Sequence, residues 1–239
     1  MEGGQEKAVA VRGMFGAIAP RYDLLNHLLS LNMDRSWRRR AVDRLLEGAA
    51  RDASLLDACA GTLDLAREIA GRRSFGGRVV ACDFSLPMLE HGRAKSRGVA
   101  VSPVCADALR LPLRDASMGG AIVGFGVRNL ASIEAGLREL ARVLQPGAPL
   151  VILEFTTPAR QPLRGAYLFY FRRILPLVGR WISRHESAYA YLPASVLAFP
   201  EPPDLAAILR LGGFDAVGWE LYSGGIVAAH RARRAQSPA

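Results

Sequence analysis

The sequence predicts an α/β fold built on an open, mostly parallel sheet with helices on both faces. Between Ser54 and Phe155, short apolar runs alternate with helical stretches. The runs are almost continuously apolar, as strands buried on both faces are. Cys59, Cys82 and Cys105 each fall at the carboxyl end of a successive run, so the three ends share a register.

Taken in order, Phe15, Ile18, Tyr22, Leu25 and Leu29 recur at spacings of three and four, so residues 14–47 read as helical. A second helix starts near Asp34 and carries Trp37, Val42, Leu45 and Leu46, with Arg38, Arg39 and Arg40 on its wet side. Strand and helix then alternate: Leu55–Cys59, Leu65–Arg72, Arg78–Cys82, Met88–Arg97, Val99–Cys105, Ala121–Phe125, Ile133–Leu144 and Leu150–Phe155. Residues 160–184 are helical, aromatic and arginine-rich. Pro202–Leu211 forms a short helix, and Phe214–Tyr222 and Ile226–His230 form a hairpin turned by Ser223-Gly224-Gly225. One domain spans residues 1–239. It divides into a helical extension (1–50), a ligand-binding core (54–155), a helical insertion facing substrate or membrane (160–200) and the hairpin (214–230).

The formal charge of +9 is almost all arginine, because Lys7 and Lys95 are the only lysines. Arginine-rich codon usage and an anionic membrane surface account for it equally well. The arginines are spread along the chain without an aromatic-basic module, which argues against nucleic acid. No signal-peptide core opens the sequence, and arginines interrupt the apolar stretch from Tyr167 to Ile182, so a cytoplasmic protein is expected. The three cysteines are too dispersed for a zinc site and fit a reducing compartment; no metal is expected.

The first strand ends in Asp57-Ala58-Cys59-Ala60-Gly61-Thr62-Leu63-Asp64, and a helix follows. In open parallel sheets, ligands sit beyond the carboxyl ends of the strands, and a glycine there lets a ligand approach the backbone. Asp83 ends the second strand about 20 residues later, where a carboxylate accepts from ribose hydroxyls. Asp107 follows the third strand, placed to accept from an adenine amino group. A dinucleotide would set its pyrophosphate at the helix N-terminus, where Asp64 repels it. S-adenosylmethionine carries a sulfonium and an ammonium instead, and acidic neighbours suit it. Taken singly, Asp57 also reads as a strand-end residue, Asp64 as a helix cap and Asp107 as a turn residue.

The chain from Met14 to Arg231 resembles the ubiquinone/menaquinone biosynthesis C-methyltransferase family. The resemblance rests on Met14-Phe15-Gly16 through Tyr22-Asp23-Leu24-Leu25-Asn26, on Arg35-Ser36-Trp37-Arg38, and on Phe125-Gly126-Val127-Arg128-Asn129-Leu130. Arg142-Val143-Leu144-Gln145-Pro146-Gly147, Leu153-Glu154-Phe155 and Tyr189-Ala190-Tyr191-Leu192-Pro193-Ala194-Ser195 add to it.

The resemblance implies a Rossmann-like class I S-adenosylmethionine-dependent methyltransferase, seven-stranded, with an antiparallel terminal hairpin and a helical N-terminal extension. It implies cofactor contacts at Thr62, Asp83, Asp107 and Ala108, and Asp57, Gly61 and Gly124 at the strand ends are expected to join them. Arg128 and Asn129 would face the reacting quinol, with Tyr22, Asp23 and Asn26 closing over it. The residues alone also allow a salt-bridged Arg128 and a turn-forming Asn129.

The implied substrate is a polyprenyl quinol, demethylmenaquinol ahead of the ubiquinone precursor 2-polyprenyl-6-methoxy-1,4-benzoquinol. Contact with the inner membrane face and a homodimer both stay open. Leu63 stands where the family has glycine, and Gly124 where serine is frequent. A branched Leu63 that crowds the donor site would make the chain a non-catalytic partner subunit.

Overall fold

The computed structural model describes residues 9, 11–19, 22–23, 30–174 and 186–236, without the side chains of residues 172 and 186–190. Asn26 and the arginine and tryptophan expected at 180 and 181 fall outside the described residues. Residues 11–19 are helical. After a turn in which Leu31 and Asn32 adopt positive φ, α1 runs from Met33 to Leu46. The alternating core follows as β1 (Ser54–Ala58), α2 (Asp64–Ala70), β2 (Arg78–Asp83), α3 (Leu86–Lys95), β3 (Val101–Cys105), β4 (Gly120–Gly124), α4 (Ile133–Val143) and β5 (Pro149–Phe155). A 3-10 turn, Val127–Asn129, leaves β4. The remainder is α5 (Leu163–Phe169), a π-helical turn (Tyr170–Ile174), α6 (Glu186–Leu197), α7 (Pro202–Leu211), β6 (Phe214–Tyr222) and β7 (Val227–Arg234).

The seven strands are ordered β3-β2-β1-β4-β5-β7-β6. β1 to β5 are parallel, and β7 runs antiparallel between β5 and β6. The chain reverses direction across the sheet between β1 and β4, so the ends of β1, β2 and β4 surround the crevice where such sheets bind ligands. One apolar layer packs α1, α2 and Tyr222 against one face; the other packs α4 and α7 against the opposite face. β7 runs four residues beyond the expected end at His230, because pairing with Pro149–Phe155 continues to Arg233. The Ser223–Gly225 turn is fastened to α1, where the Trp37 indole N–H donates to the Ser223 hydroxyl at 2.8 Å.

Two expectations are corrected here. Arg38 is not on the wet side of α1. Its side chain is 12% exposed and turned inward to Asp34 and Asp64, whereas Arg39 and Arg40 are exposed. Leu63 does not crowd the crevice. It sits at φ 67°, ψ 20° ahead of α2, fully buried, with its side chain against Gly92 of α3. A left-handed leucine costs about 1–2 kcal/mol, a strain a glycine would avoid, but the isobutyl group fills the core. Gly124 has a packing cause, since a Cβ there would meet Leu65 Cδ1 at 2.4 Å.

Replacing Leu63 with glycine is therefore expected to lower stability, not raise it. Relief of about 1–2 kcal/mol of backbone strain is set against about 2–5 kcal/mol for the cavity left by a buried leucine. A urea midpoint above that of the wild type would contradict this packing.

Candidate active site

The turn after β1 is unusually constrained. Cys59, Gly61 and Leu63 all adopt left-handed backbone, at φ 55°, 52° and 67°. Such conformations persist only where neighbours hold them. The Ala60 N–H donates to the Cys82 carbonyl at 3.0 Å, the Leu63 N–H to the Ala60 carbonyl at 2.9 Å, and the Gly61 N–H to Asp83 Oδ2 at 2.8 Å. The other Asp83 oxygen accepts from the Ser85 N–H at 2.8 Å. One carboxylate thus ties the turns after β1 and β2 together, and its oxygens keep lone pairs for a ligand's hydroxyls. Burial raises the Asp83 pKa, opposed by the N–H groups of Ser85, Gly61 and Phe84.

Asp83 lines a narrow cleft with Gly61, Phe84, Met88, Asp107, Ala108, Gly124 and Asn129. Asp107 closes a small turn by accepting from the Leu109 N–H at 2.9 Å. No lysine or arginine lines the cleft among the described residues, and Asp83 and Asp107 make it anionic. Beside it lies a second cavity of about 330 Å³, walled by aromatic and aliphatic side chains that include Ile18, Trp37, Phe155, Tyr167, Phe171 and Leu192. Phe15, Tyr22 and Phe125 line both spaces, so the two meet there. Phe125 is held at φ 58° at the end of β4, with its N–H on the Leu153 carbonyl at 2.7 Å.

The sequence-derived site residues separate into groups. Gly61, Asp83, Asp107, Ala108, Gly124, Tyr22 and Asn129 line the cleft, and Arg128 lines the larger cavity. Asp57, Thr62 and Asp23 line neither. Asp57 is fully buried beneath α2, where its Oδ2 accepts from the Ala66 N–H at 2.9 Å. Burial pushes its pKa up to about 8, against the Ala66 bond and with the nearby Asp83 charge adding to the rise.

Thr62 is 2% exposed and donates its hydroxyl to Asp23. The same Asp23 carboxylate pairs with Lys95 of α3, with His91 3.8 Å away. Burial works to raise the Asp23 pKa, but Lys95, Thr62 and His91 outweigh it and hold it below the usual carboxylate value. Asp23 therefore fastens the N-terminal segment over the turn.

Asp64 is also tied down, by Arg38 at 2.6 Å and Lys95 at 3.2 Å. Its charge is neutralised, so the repulsion of a phosphate expected from it is corrected. Asp83 and Asp107 supply the negative charge instead.

Arg128 is the salt-bridged arginine that the residues alone had allowed. Its Nη1 donates to Glu154 Oε1 and to the Phe125 carbonyl, each at 2.6 Å, and the side chain is 6% exposed. Asn129 donates to the same carbonyl at 3.3 Å and accepts from the Tyr191 hydroxyl at 3.0 Å. Glu154, near the end of an apolar strand, and Tyr191 are functional neighbours that the sequence reading does not single out. A carboxylate closing a run such as Leu150–Phe155 was the available signal for Glu154. Nothing in the chain order points to Tyr191 meeting Asn129.

An open sheet with an anionic, strand-end cleft against an apolar cavity defines a group-transfer α/β protein of methyltransferase type. Solved methyltransferases share the fold. One is the Haloferax volcanii methyltransferase complexed with the Trm112 methyltransferase activator, with TM-score 0.68, 14% identity, and coverage of 92% of this chain and 97% of that one. Another is a SAM-dependent methyltransferase of Thermotoga maritima, with TM-score 0.63, 16% identity and coverage of 93% and 98%.

The chain belongs to the ubiE/COQ5 methyltransferase family, whose model matches residues 1–234. It is 47% identical over 219 residues to a demethylmenaquinone methyltransferase of Thermus thermophilus, covering 91% of this chain and 98% of the relative. It is 42% identical over 230 residues to a ubiquinone/menaquinone biosynthesis C-methyltransferase of a Geobacter species, covering 94% and 96%.

The buried Asp57 gives a signed pH prediction. An unfolded aspartate titrates near 3.9, so between that value and about 8 the folded state holds the extra proton. Stability from this group is thus present at acid pH and lost as pH rises through 8. Asp57→Asn, which keeps an acceptor for Ala66, should gain at least about 1 kcal/mol over wild type at pH 8. It should gain little at pH 4. Urea unfolding of both proteins at the two pH values checks this; an equal difference at both would remove the shift.

Proposed function

We propose that the chain is an S-adenosylmethionine-dependent C-methyltransferase acting on a polyprenyl hydroquinone, demethylmenaquinol first among them. The observation that carries the reading is the shared wall of Phe15, Tyr22 and Phe125 between the anionic cleft and the apolar cavity, because methyl transfer needs donor and acceptor in contact. The names of the Thermus and Geobacter relatives support the quinone substrate.

The cleft fits the cofactor by charge. Asp83 and Asp107, with no cation beside them among the lining residues, suit a ligand carrying sulfonium and ammonium groups and not a pyrophosphate. Asp83 would take the ribose hydroxyls and the Asp107–Ala108 segment the adenine. Bound there, the cofactor supplies an electrophilic methyl group. The non-catalytic alternative loses its basis, since Leu63 packs into the core.

The larger cavity would hold the ring and the first part of its tail. Loss of a hydroxyl proton pushes electron density onto the adjacent ring carbon. Arg128 would donate to the developing oxyanion, with Glu154 and the Phe125 carbonyl fixing the guanidinium plane. Asn129, held by Tyr191, would orient the hydroxyl or the water that takes its proton.

Leu163, Phe169 and Ile174 are 38%, 62% and 38% exposed beside the exposed Arg160, Arg164 and Arg173. Leu163 also lines the larger cavity, which places this patch at its rim. An apolar and cationic rim suits an anionic bilayer that delivers a prenylated substrate. No helix among the described residues is long and apolar enough to cross a membrane.

Three measurements test this. Incubating the protein with S-adenosylmethionine and either reduced demethylmenaquinone or 2-polyprenyl-6-methoxy-1,4-benzoquinol, with mass analysis, should show methylation of the first; no product from either would sink the reading. Arg128→Ala alone would strand Glu154 and cost about 3–5 kcal/mol, confounding turnover with folding. The Arg128→Met/Glu154→Gln pair removes both charges and should cut kcat by about 10²–10³ in a folded protein; unchanged kcat removes Arg128 from the chemistry. Liposomes of anionic lipid should co-sediment the chain at low salt and release it at high salt. Failure to bind at low salt refutes the membrane surface.

A further inference from the structure

Tyr167 stands on α5 with 5% exposure, in the wall of the larger cavity that also contains Arg128 and Tyr191. Its ring packs on Phe171 with centroids 4.3 Å apart. Its hydroxyl is buried and makes no hydrogen bond among the described residues. An unsatisfied buried hydroxyl is costly, and phenylalanine would fill the same ring site without that cost.

Tyr222 also has an unpartnered hydroxyl, but it lies outside both cavities with Arg40 against its ring 3.9 Å from the centroid. Tyr191, another phenol in the cavity wall near Arg128, already donates to Asn129. Tyr167 thus combines a wall position with an unused donor. Burial raises its pKa, against the nearby Arg128, so the phenol keeps its proton and acts as a donor.

We propose that the Tyr167 hydroxyl donates a hydrogen bond to one of the two ring oxygens of the hydroquinone, positioning the ring for transfer. The inference rests on the function proposed above and adds a recognition element to it. It makes selection of the ring depend on the oxygen that Tyr167 meets, since a site built to bond an oxygen rejects a ring lacking it.

Tyr167→Phe in the full chain tests this, with kcat/KM for the prenylated naphthohydroquinone and the thermal midpoint both measured. Inhibition constants of the two isomeric prenylated mono-naphthols, each keeping one oxygen, complete the experiment. The expected result is a loss of kcat/KM of about tenfold or more, with the midpoint equal to or above wild type because an orphan hydroxyl has been removed. Inhibition by one isomer should weaken in parallel, and inhibition by the other should stay unchanged.

Unaltered kcat/KM overturns the proposal, as does a loss accompanied by a lower midpoint and equal weakening of both isomers, which marks a packing role. A wild-type chain that neither binds nor methylates the hydroquinone overturns the function reading, and this inference with it. Wild-type methylation matched by the variant overturns this inference alone.

Discussion

The site depends on one carboxylate. Asp83 accepts from the Gly61 N–H with one oxygen and from the Ser85 N–H with the other. It joins the Ala60 and Leu63 backbone bonds in holding a turn with left-handed residues at positions 59, 61 and 63. The Gly61 bond continues the tie between β1 and β2 beyond their last paired residues, Ala58 and Cys82. Because Asp83 is mostly buried, its charge is felt strongly inside the cleft, where no cation lies among the described lining residues.

A second layer of ion pairs surrounds this centre without entering it. Asp23, Lys95, Asp64, Arg38 and Asp34 join in sequence, linking the N-terminal segment, α3, α2 and α1. Asp34 is buried and the other four are partly exposed, and their charges are spent on each other, which leaves the cleft's field to Asp83 and Asp107. The same economy governs the far wall, where Glu154 and the Phe125 carbonyl hold Arg128. A guanidinium held this way is a directed donor with little net field. Directed donors are suited to a charge that develops on one oxygen.

The fold was legible because strand burial imposes a pattern on chain order. Continuous apolar runs such as Leu150–Leu153 announce a strand covered on both faces, and α7 lies where the sequence put it, at Pro202–Leu211. The acidic strand ends were also legible, since Asp83 needs only its position at the end of β2, and Asp107 its position just after β3, to reach the cleft. Asp57 misled for the same reason. It stands one residue before the end of the same kind of strand, but its side chain points beneath α2 and caps Ala66. Strand alternation puts neighbouring residues on opposite faces, and which face receives the ligand is undecided until the following turn is known.

Sequence alone determined the sheet, its antiparallel end and the acidic character of its carboxyl edge, because these follow from local periodicity and from residues near one another in the chain. Only the tertiary structure decided which charges are free to act. Asp64 is neutralised by Arg38 and Lys95 from two other helices, Arg128 by a glutamate 26 residues away, and Leu63 turns to the core through a single left-handed residue. Pairing and burial are properties of surfaces brought together from distant parts of the chain, and no local pattern encodes them.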